Sequence, residues 1–214
     1  MTACIFANGN LTYSKKIEKI TQTCDLIIAA NGGSKHIATL GLKPHLLVGD
    51  LDSLTSPPWE NDKNIERAVW PQDKNKTDTE LAVDRAILSG CNKILLFGGL
   101  GGRIDHTLGN IELAVKYPGR IEILDDNGKL VALDSSKKNT FPGITGSIVS
   151  LIPFGSLVTK VNSQGLKYEL KDLDMTPGTR GISNEMVGDT ASIWFIYGML
   201  LVYIEQGEID LNND

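Results

Sequence analysis

The sequence predicts an α/β chain in two parts: an N-terminal, mainly parallel α/β domain over residues 1–127 and an all-β sandwich domain over 128–214. Three observations carry this. Short β-prone runs alternate with helical patterns up to about residue 127, the rhythm of strands joined by crossover helices. Beyond that point β-prone runs alternate with turn chemistry and no helical pattern recurs. The 214 residues are 41% hydrophobic and 22% charged, which is enough apolar material for a sizeable core.

ACIFAN (3–8) is the first β-prone run. SKKIEKITQTC (14–24) puts Ile17 and Ile20 on one helical face behind a Ser14 cap. DLIIAA (25–30) and HLLVG (45–49) are the next strands, and IERAVW (65–70) is a candidate fourth. TDTELAVDRAILSG (77–90) is the clearest helix. Thr77 and Glu80 form a capping box, Leu81, Ala82, Ala86 and Ile87 face a core, and Gly90 ends the helix. KILLF (93–97) is a buried strand, a helix follows around 105–116, and RIEILD (120–125) is the next strand. In the second part KLVALD, SIVSLIPF, LVTKV and LKYEL are short strands, separated by the turn chemistries DNGK, FPGITG, FGS and NSQG. The apolar run IWFIYGMLLVYI (193–204) is shorter than the roughly 20 residues a bilayer requires. Gly198 divides it into two buried strands, or one strand with a bulge. The polar tail EQGEIDLNND is expected to fray.

A net charge of −5 gives no bulk attraction to nucleic acid or to an acidic membrane. An anionic ligand therefore needs a local positive site or a metal. Cys4, Cys24 and Cys91 are odd in number and widely spaced, and read as buried free thiols in a reducing compartment. The start MTACIFANGN has no basic region before its short apolar run, so a cytoplasmic protein is expected.

In an open parallel sheet, ligands bind at the carboxyl ends of strands. Four segments fall there: ANGGS (30–34), GDLDS (49–53), PQDKNKTD (71–78) and GGLGGRIDH (98–106). Asp50 and Asp52, two apart, point the same way on extended backbone and repel each other. A divalent cation between them, or a solvated turn, accounts for the pair, and magnesium prefers such oxygen ligands. Asp78 lies in a first helical turn, where an acid suits the helix dipole and where it can also be a third carboxylate beside a metal. Lys74 and Lys76 either offset phosphate charge or stay solvated. Four glycines in GGLGG let the backbone approach a ligand, and Arg103 can meet phosphate oxygens bidentately. The spacing is neither a Walker A loop nor GxGxxG. Asp105 either starts a helix or completes a metal site, and His106 is an acid–base group or, more plainly, a packed helix residue. Asn31, Gly32 and Gly33 form a second glycine turn, for nucleotide approach or simply as a strand-to-helix turn. In the β domain, Tyr168 is a stacking surface or a half-buried strand residue, and Ser183, Asn184 and Glu185 are polar groups that also suit a turn.

Taken in order, GDLDS, PQDKNKTDTELAV, GGLGGRIDHTLGNI, GLKYEL and GISNE resemble the thiamine pyrophosphokinase family. The resemblance implies an α/β nucleotide-binding domain followed by a β-sandwich, and a homodimer with active sites between subunits. It implies Mg2+ as cofactor, ATP and thiamine as substrates, AMP and thiamine diphosphate as products, and no nucleic-acid or membrane partner. By the same resemblance Asp50, Asp52 and Asp78 hold magnesium, and with Arg103 and Asp105 form the catalytic set. Asn31, Gly32, Gly33, Lys74, Thr77, Gly102 and Arg103 are expected at ATP, and Tyr168, Ser183 and Asn184 at thiamine. Two positions depart from the family's usual pattern: Asn31 and Asn75 stand where many members have Asp. Each change removes a charge and adds amide donors. A metal-dependent nucleotide-sugar transferase and a non-catalytic nucleotide- or thiamine-binding module are the alternative readings.

Overall fold

The computed structural model describes residues 1–50, 57–59, 61–69 and 75–205. Two compact units emerge, Met1–Leu113 with Arg120–Asp126, and Ala114–Gly119 with Asn127–Asp214.

In the first unit the strands are β1 (Thr2–Phe6), β2 (Leu26–Ala30), β3 (Leu46–Gly49), β4 (Glu66–Val69), β5 (Lys93–Phe97) and β6 (Ile121–Leu124). The helices are α1 (Lys15–Gln22), α2 (Ser34–Thr39), α3 (Asp78–Leu88) and α4 (Ile104–Lys116), the last turn of which groups with the second unit. The strands run in the order β6-β5-β1-β2-β3-β4. Every neighbouring pair is parallel, as expected for strands joined by helical crossovers. Local signals act as their chemistry requires. The Ser14 hydroxyl accepts from the Ile17 amide at 3.3 Å, and Thr77 accepts from the Glu80 amide at 3.2 Å. Gly90, at φ +85°, takes the left-handed conformation that closes α3. Phe6 and Phe97, at matched positions of β1 and β5, stack with ring centroids 5.0 Å apart in the core.

The second unit holds β7 (Gly128–Leu133), β8 (Asn139–Pro142), β9 (Ile148–Pro153), β10 (Val158–Gln164), β11 (Leu173–Met175), β12 (Asn184–Glu185), β13 (Thr190–Trp194) and β14 (Leu200–Glu205). Its strands pair antiparallel in the orders β12-β9-β14-β7 and β11-β10-β13-β8. One core fills the space between the two layers, drawing Val131, Leu151 and Val202 from one and Val161, Met175 and Ile193 from the other. That is a sandwich. The run 193–204 splits into the end of β13 and most of β14, which lie in different sheets, with Gly198 at φ +109° between them.

Two expectations are corrected. LKYEL is not a strand: its alternation of Leu166, Tyr168 and Leu170 is that of a loop closed at its base. Gly165, at φ +81°, ends β10, and the Ser163 amide then donates to the Leu170 carbonyl at 3.0 Å. Leu166 and Leu170 pack on the core while Tyr168 stays exposed. The three cysteines are not all free thiols either. Cys4 on β1 and Cys24 after α1 form a disulfide, with Cα atoms 6.0 Å apart, because α1 returns the chain over its own first strand. Cys91 is free and buried. Among the described residues no helix is long and apolar enough to cross a membrane.

Candidate active site

β1 is the switch point of the first unit's sheet. The chain proceeds from β1 through β2 and β3 to β4 on one side, and β5 then returns to the other side of β1. Outside the carboxyl end of such a strand the flanking loops diverge and leave a crevice. Here that crevice is a cavity of about 280 Å³. Its walls are Ala7–Gly9 after β1, Ala30–Gly32 at the end of β2, Thr77–Thr79 at the start of α3, and Gly98, Gly99 and Gly101–Arg103 after β5. His106 and Asn110 of α4 complete the lining.

The glycines are there because backbone meets backbone. Ala7 N–H donates to Phe97 O at 2.8 Å and Gly9 N–H to Gly98 O at 2.9 Å. A Cβ on Gly9 would overlap Gly98 O and lie 2.8 Å from Leu100 O. A Cβ on Gly33 would overlap the Phe6 carbonyl, and one on Gly32 would lie 2.5 Å from Asn8 Oδ1. The Ala7–Gly9 segment is thus gripped by both glycine turns. Buried Asn110 holds the turn after β5, its Nδ2 donating to Gly99 O at 2.8 Å. The N-terminus of α3 also opens on the cavity, and its leading amides and dipole favour an anion there.

An acidic cluster lies beside the cavity. Asn31, at φ +44°, donates from Nδ2 to Asp50 Oδ1 at 2.8 Å. A Cβ on Gly49 would lie 3.0 Å from Asn31 Cβ and 3.2 Å from Asp78 Oδ1, so Asn31, Asp50 and Asp78 gather around one residue. Two carboxylates and an amide are hard oxygen donors, the chemistry magnesium takes. The expected partners Asp52 and Lys74 lie outside the described residues. Among the described residues no group of three or more His, Cys, Asp or Glu side chains converges.

Of the other expected site residues, Asn31, Gly32, Thr77, Asp78, Gly102 and Arg103 line the cavity. Gly33 lies behind it, against β1. Arg103 engages Asp105 through two hydrogen bonds, Nε to Oδ1 at 3.1 Å and Nη2 to Oδ2 at 2.6 Å. That contact holds the Asp105 carboxyl below the usual carboxylate range and raises the guanidinium. Lys76 is directed elsewhere, to Asp84 at 2.5 Å and Glu80 at 3.7 Å on α3. His106 is exposed in the cavity wall and is not packed in the helix interface.

In the second unit, Tyr168 and Asn184 form a clasp. The Asn184 amide accepts from Tyr168 N–H at 3.0 Å and donates to Tyr168 O at 2.8 Å, fixing the backbone beneath an exposed ring. Lys167 lies 5.8 Å from that ring and pairs with both Glu185 oxygens at 3.0 and 3.1 Å. Ser183, at φ +61°, is exposed and donates its amide to Ser150 Oγ at 3.1 Å. Sequence reasoning missed Ala7–Gly9, Thr79 and Asn110. The strand-end rule applied to the later strands would have found the first of these after β1; nothing in the spacing marks the other two.

Comparison with known proteins adds two matches in chain order. Residues 17–124 match the family model described as thiamin pyrophosphokinase, catalytic domain, and residues 133–200 match thiamin pyrophosphokinase, vitamin B1 binding domain. A thiamine pyrophosphokinase of Bacillus subtilis is 29% identical over 210 residues, covering 94% of this chain and 97% of the relative. One from Caenorhabditis elegans is 26% identical over 192 residues, covering 83% and 78%. Among solved structures, the thiamine pyrophosphokinase of Bacillus subtilis superposes with a TM-score of 0.84 at 26% identity, covering 96% of this chain and 99% of the other. That of Geobacillus thermodenitrificans gives 0.82 at 27%, covering 99% and 100%.

Proposed function

The chain belongs to the thiamin pyrophosphokinase family, and we propose that it transfers pyrophosphate from ATP to the hydroxyl of thiamine, giving thiamine diphosphate and AMP. The observation that carries this reading is the cavity at the β1–β5 switch point, walled by two glycine turns and the N-terminus of α3, with Arg103 in its lining. Such walls present backbone amides to phosphate oxygens without side chains in the way.

The transfer breaks the bond between the α,β-bridging oxygen and the β-phosphorus of ATP. It forms a bond from the thiamine hydroxyl oxygen to that phosphorus, and AMP leaves. Negative charge builds on the moving group and on the departing oxygen, so the protein's task is placement and charge stabilisation. The N-terminus of α3 and the Arg103 guanidinium take up phosphate charge, with Asp105 holding the guanidinium plane until substrate arrives. The hydroxyl proton passes to a carboxylate of the site, Asp78 or Asp105. Asp50 and Asp78, with Asp52, would hold Mg2+, which when bound supplies Lewis-acid stabilisation of phosphate charge. Asn31 keeps Asp50 oriented for that role. Tyr168 offers a flat, exposed ring on the second unit as a platform for the thiamine rings. A homodimeric state and a cytoplasmic setting belong to the same reading. Thiamine-dependent release of AMP tests the reaction, and light scattering tests the dimer.

A further inference from the structure

His36 sits in α2, 3% exposed, and contributes nothing to the cavity lining. Its ring is nonetheless tied to the cavity. Nε2 lies 2.9 Å from the Gly9 carbonyl, and Nδ1 lies 2.9 Å from the Tyr13 hydroxyl. A carbonyl oxygen only accepts, so Nε2 must carry a proton. Burial holds the imidazole pKa below its ordinary value, so the ring is neutral and Nδ1 presents a lone pair to the Tyr13 O–H. One tautomer satisfies both contacts. Gly9 is the residue this matters to. Its N–H is spent on Gly98 O of the glycine loop, and its carbonyl on His36. The peptide groups before and after Gly9 are therefore both held, and glycine left unheld samples more backbone conformations than any other residue.

We propose that His36 is a positioning residue for the nucleotide: as the Nε2–H tautomer, supported by Tyr13, it pins the Gly9 carbonyl and holds the Ala7–Gly9 wall against the Gly98–Gly102 loop. The identity of the bound molecule rests on the ATP reading above; the tautomer and the tether do not. Because His36 reaches the cavity only through the Gly9 carbonyl, its loss weakens nucleotide binding and leaves the chemical step in place.

The test uses the full chain. Long-range proton–nitrogen spectra of the wild type, without ligand, report which ring nitrogen of His36 is protonated, and Nε2 is expected. Calorimetry with ATP and Mg2+ then compares variants. His36→Gln keeps an amide donor near the Nε2 position and is expected to bind within about threefold of wild type, whereas His36→Leu is expected to bind about tenfold more weakly, the scale of one lost hydrogen bond. Turnover at saturating ATP stays within about threefold for both variants, since the reacting atoms are untouched. An Nδ1–H tautomer in the wild type, or wild-type affinity in His36→Leu, overturns the proposal. If His36→Leu does not fold, Tyr13→Phe replaces it: the Gly9 carbonyl still holds the proton on Nε2, ATP binding is expected to be weaker by about threefold or more because the ring has lost its support, and unchanged affinity overturns the proposal. A wild type that binds no ATP refutes the functional reading, and the spectra still judge the tether.

Discussion

Asn31 donates a 2.8 Å hydrogen bond from Nδ2 to Oδ1 of Asp50, joining the ends of the neighbouring parallel strands β2 and β3. Gly49 brings the Asp78 carboxylate to the same place. Asn31→Asp replaces a donor with a carboxylate beside two others. Like charges this close destabilise the fold until a cation joins them. The variant is expected to melt lower than wild type in EDTA and to gain more from added Mg2+. Equal melting shifts in the two proteins would show that Mg2+ does not sit at this cluster.

Gly9 tests the close approach of the two loops. Gly9→Ala drives a Cβ into Gly98 O, and is expected to destabilise the protein by about 1–3 kcal/mol and to weaken ATP binding. Gly109 on α4 has open space at its Cβ position, so Gly109→Ala is expected to be neutral or to stabilise by up to about 1 kcal/mol. Urea unfolding of both variants separates crowding at the site from a general effect of adding a methyl.

His36 gives stability a pH dependence of known sign. Its unfolded imidazole takes a proton near the ordinary value of 6.5, and the buried folded ring resists protonation to lower pH. Just below 6.5 the unfolded state binds more protons, so stability falls as pH falls, until the folded ring is protonated too. The slope from this one group is at most about 1.4 kcal/mol per pH unit. Unfolding free energies at about pH 7.5 and about pH 5.5 are expected to differ more in wild type than in His36→Gln, which has no such proton to take up. The same difference in both would assign the acid-side loss to other groups.

As the proposed platform for thiamine, Tyr168 is expected to affect that substrate and not ATP. The residue is 65% exposed, so Tyr168→Ala is expected to fold normally. Loss of a stacking and cation–π surface is expected to raise the KM for thiamine about tenfold with the KM for ATP unchanged. A change in the ATP value instead would place Tyr168 at the nucleotide.

Much of this molecule is legible from local chemistry. The Thr77 cap, the Ser14 cap and the apolar stripe of α3 mark helices because their partners lie within a turn or two. Four strand-end segments were visible because glycine and aspartate stand out after apolar runs. What was not visible depends on partners far along the chain. Gly9 is constrained by Gly98 and Leu100, and Gly99 is held by Asn110, on a helix whose pattern looks ordinary. Cys4 and Cys24 pair because α1 folds back over β1, which cysteine spacing does not encode. LKYEL alternates like a strand, yet the left-handed Gly165 and the Ser163–Leu170 bond turn that alternation into a loop.

The central claim is best tested by mixing the purified protein with ATP, Mg2+ and thiamine, with thiamine omitted in a parallel reaction, and measuring AMP and thiamine diphosphate. Pyrophosphoryl transfer predicts equal amounts of the two products, formed only when thiamine is present. The same mixture with Asp78→Asn is expected to run slower by about 10³-fold or more. Folded protein that binds ATP and releases no AMP with thiamine present would contradict the assignment.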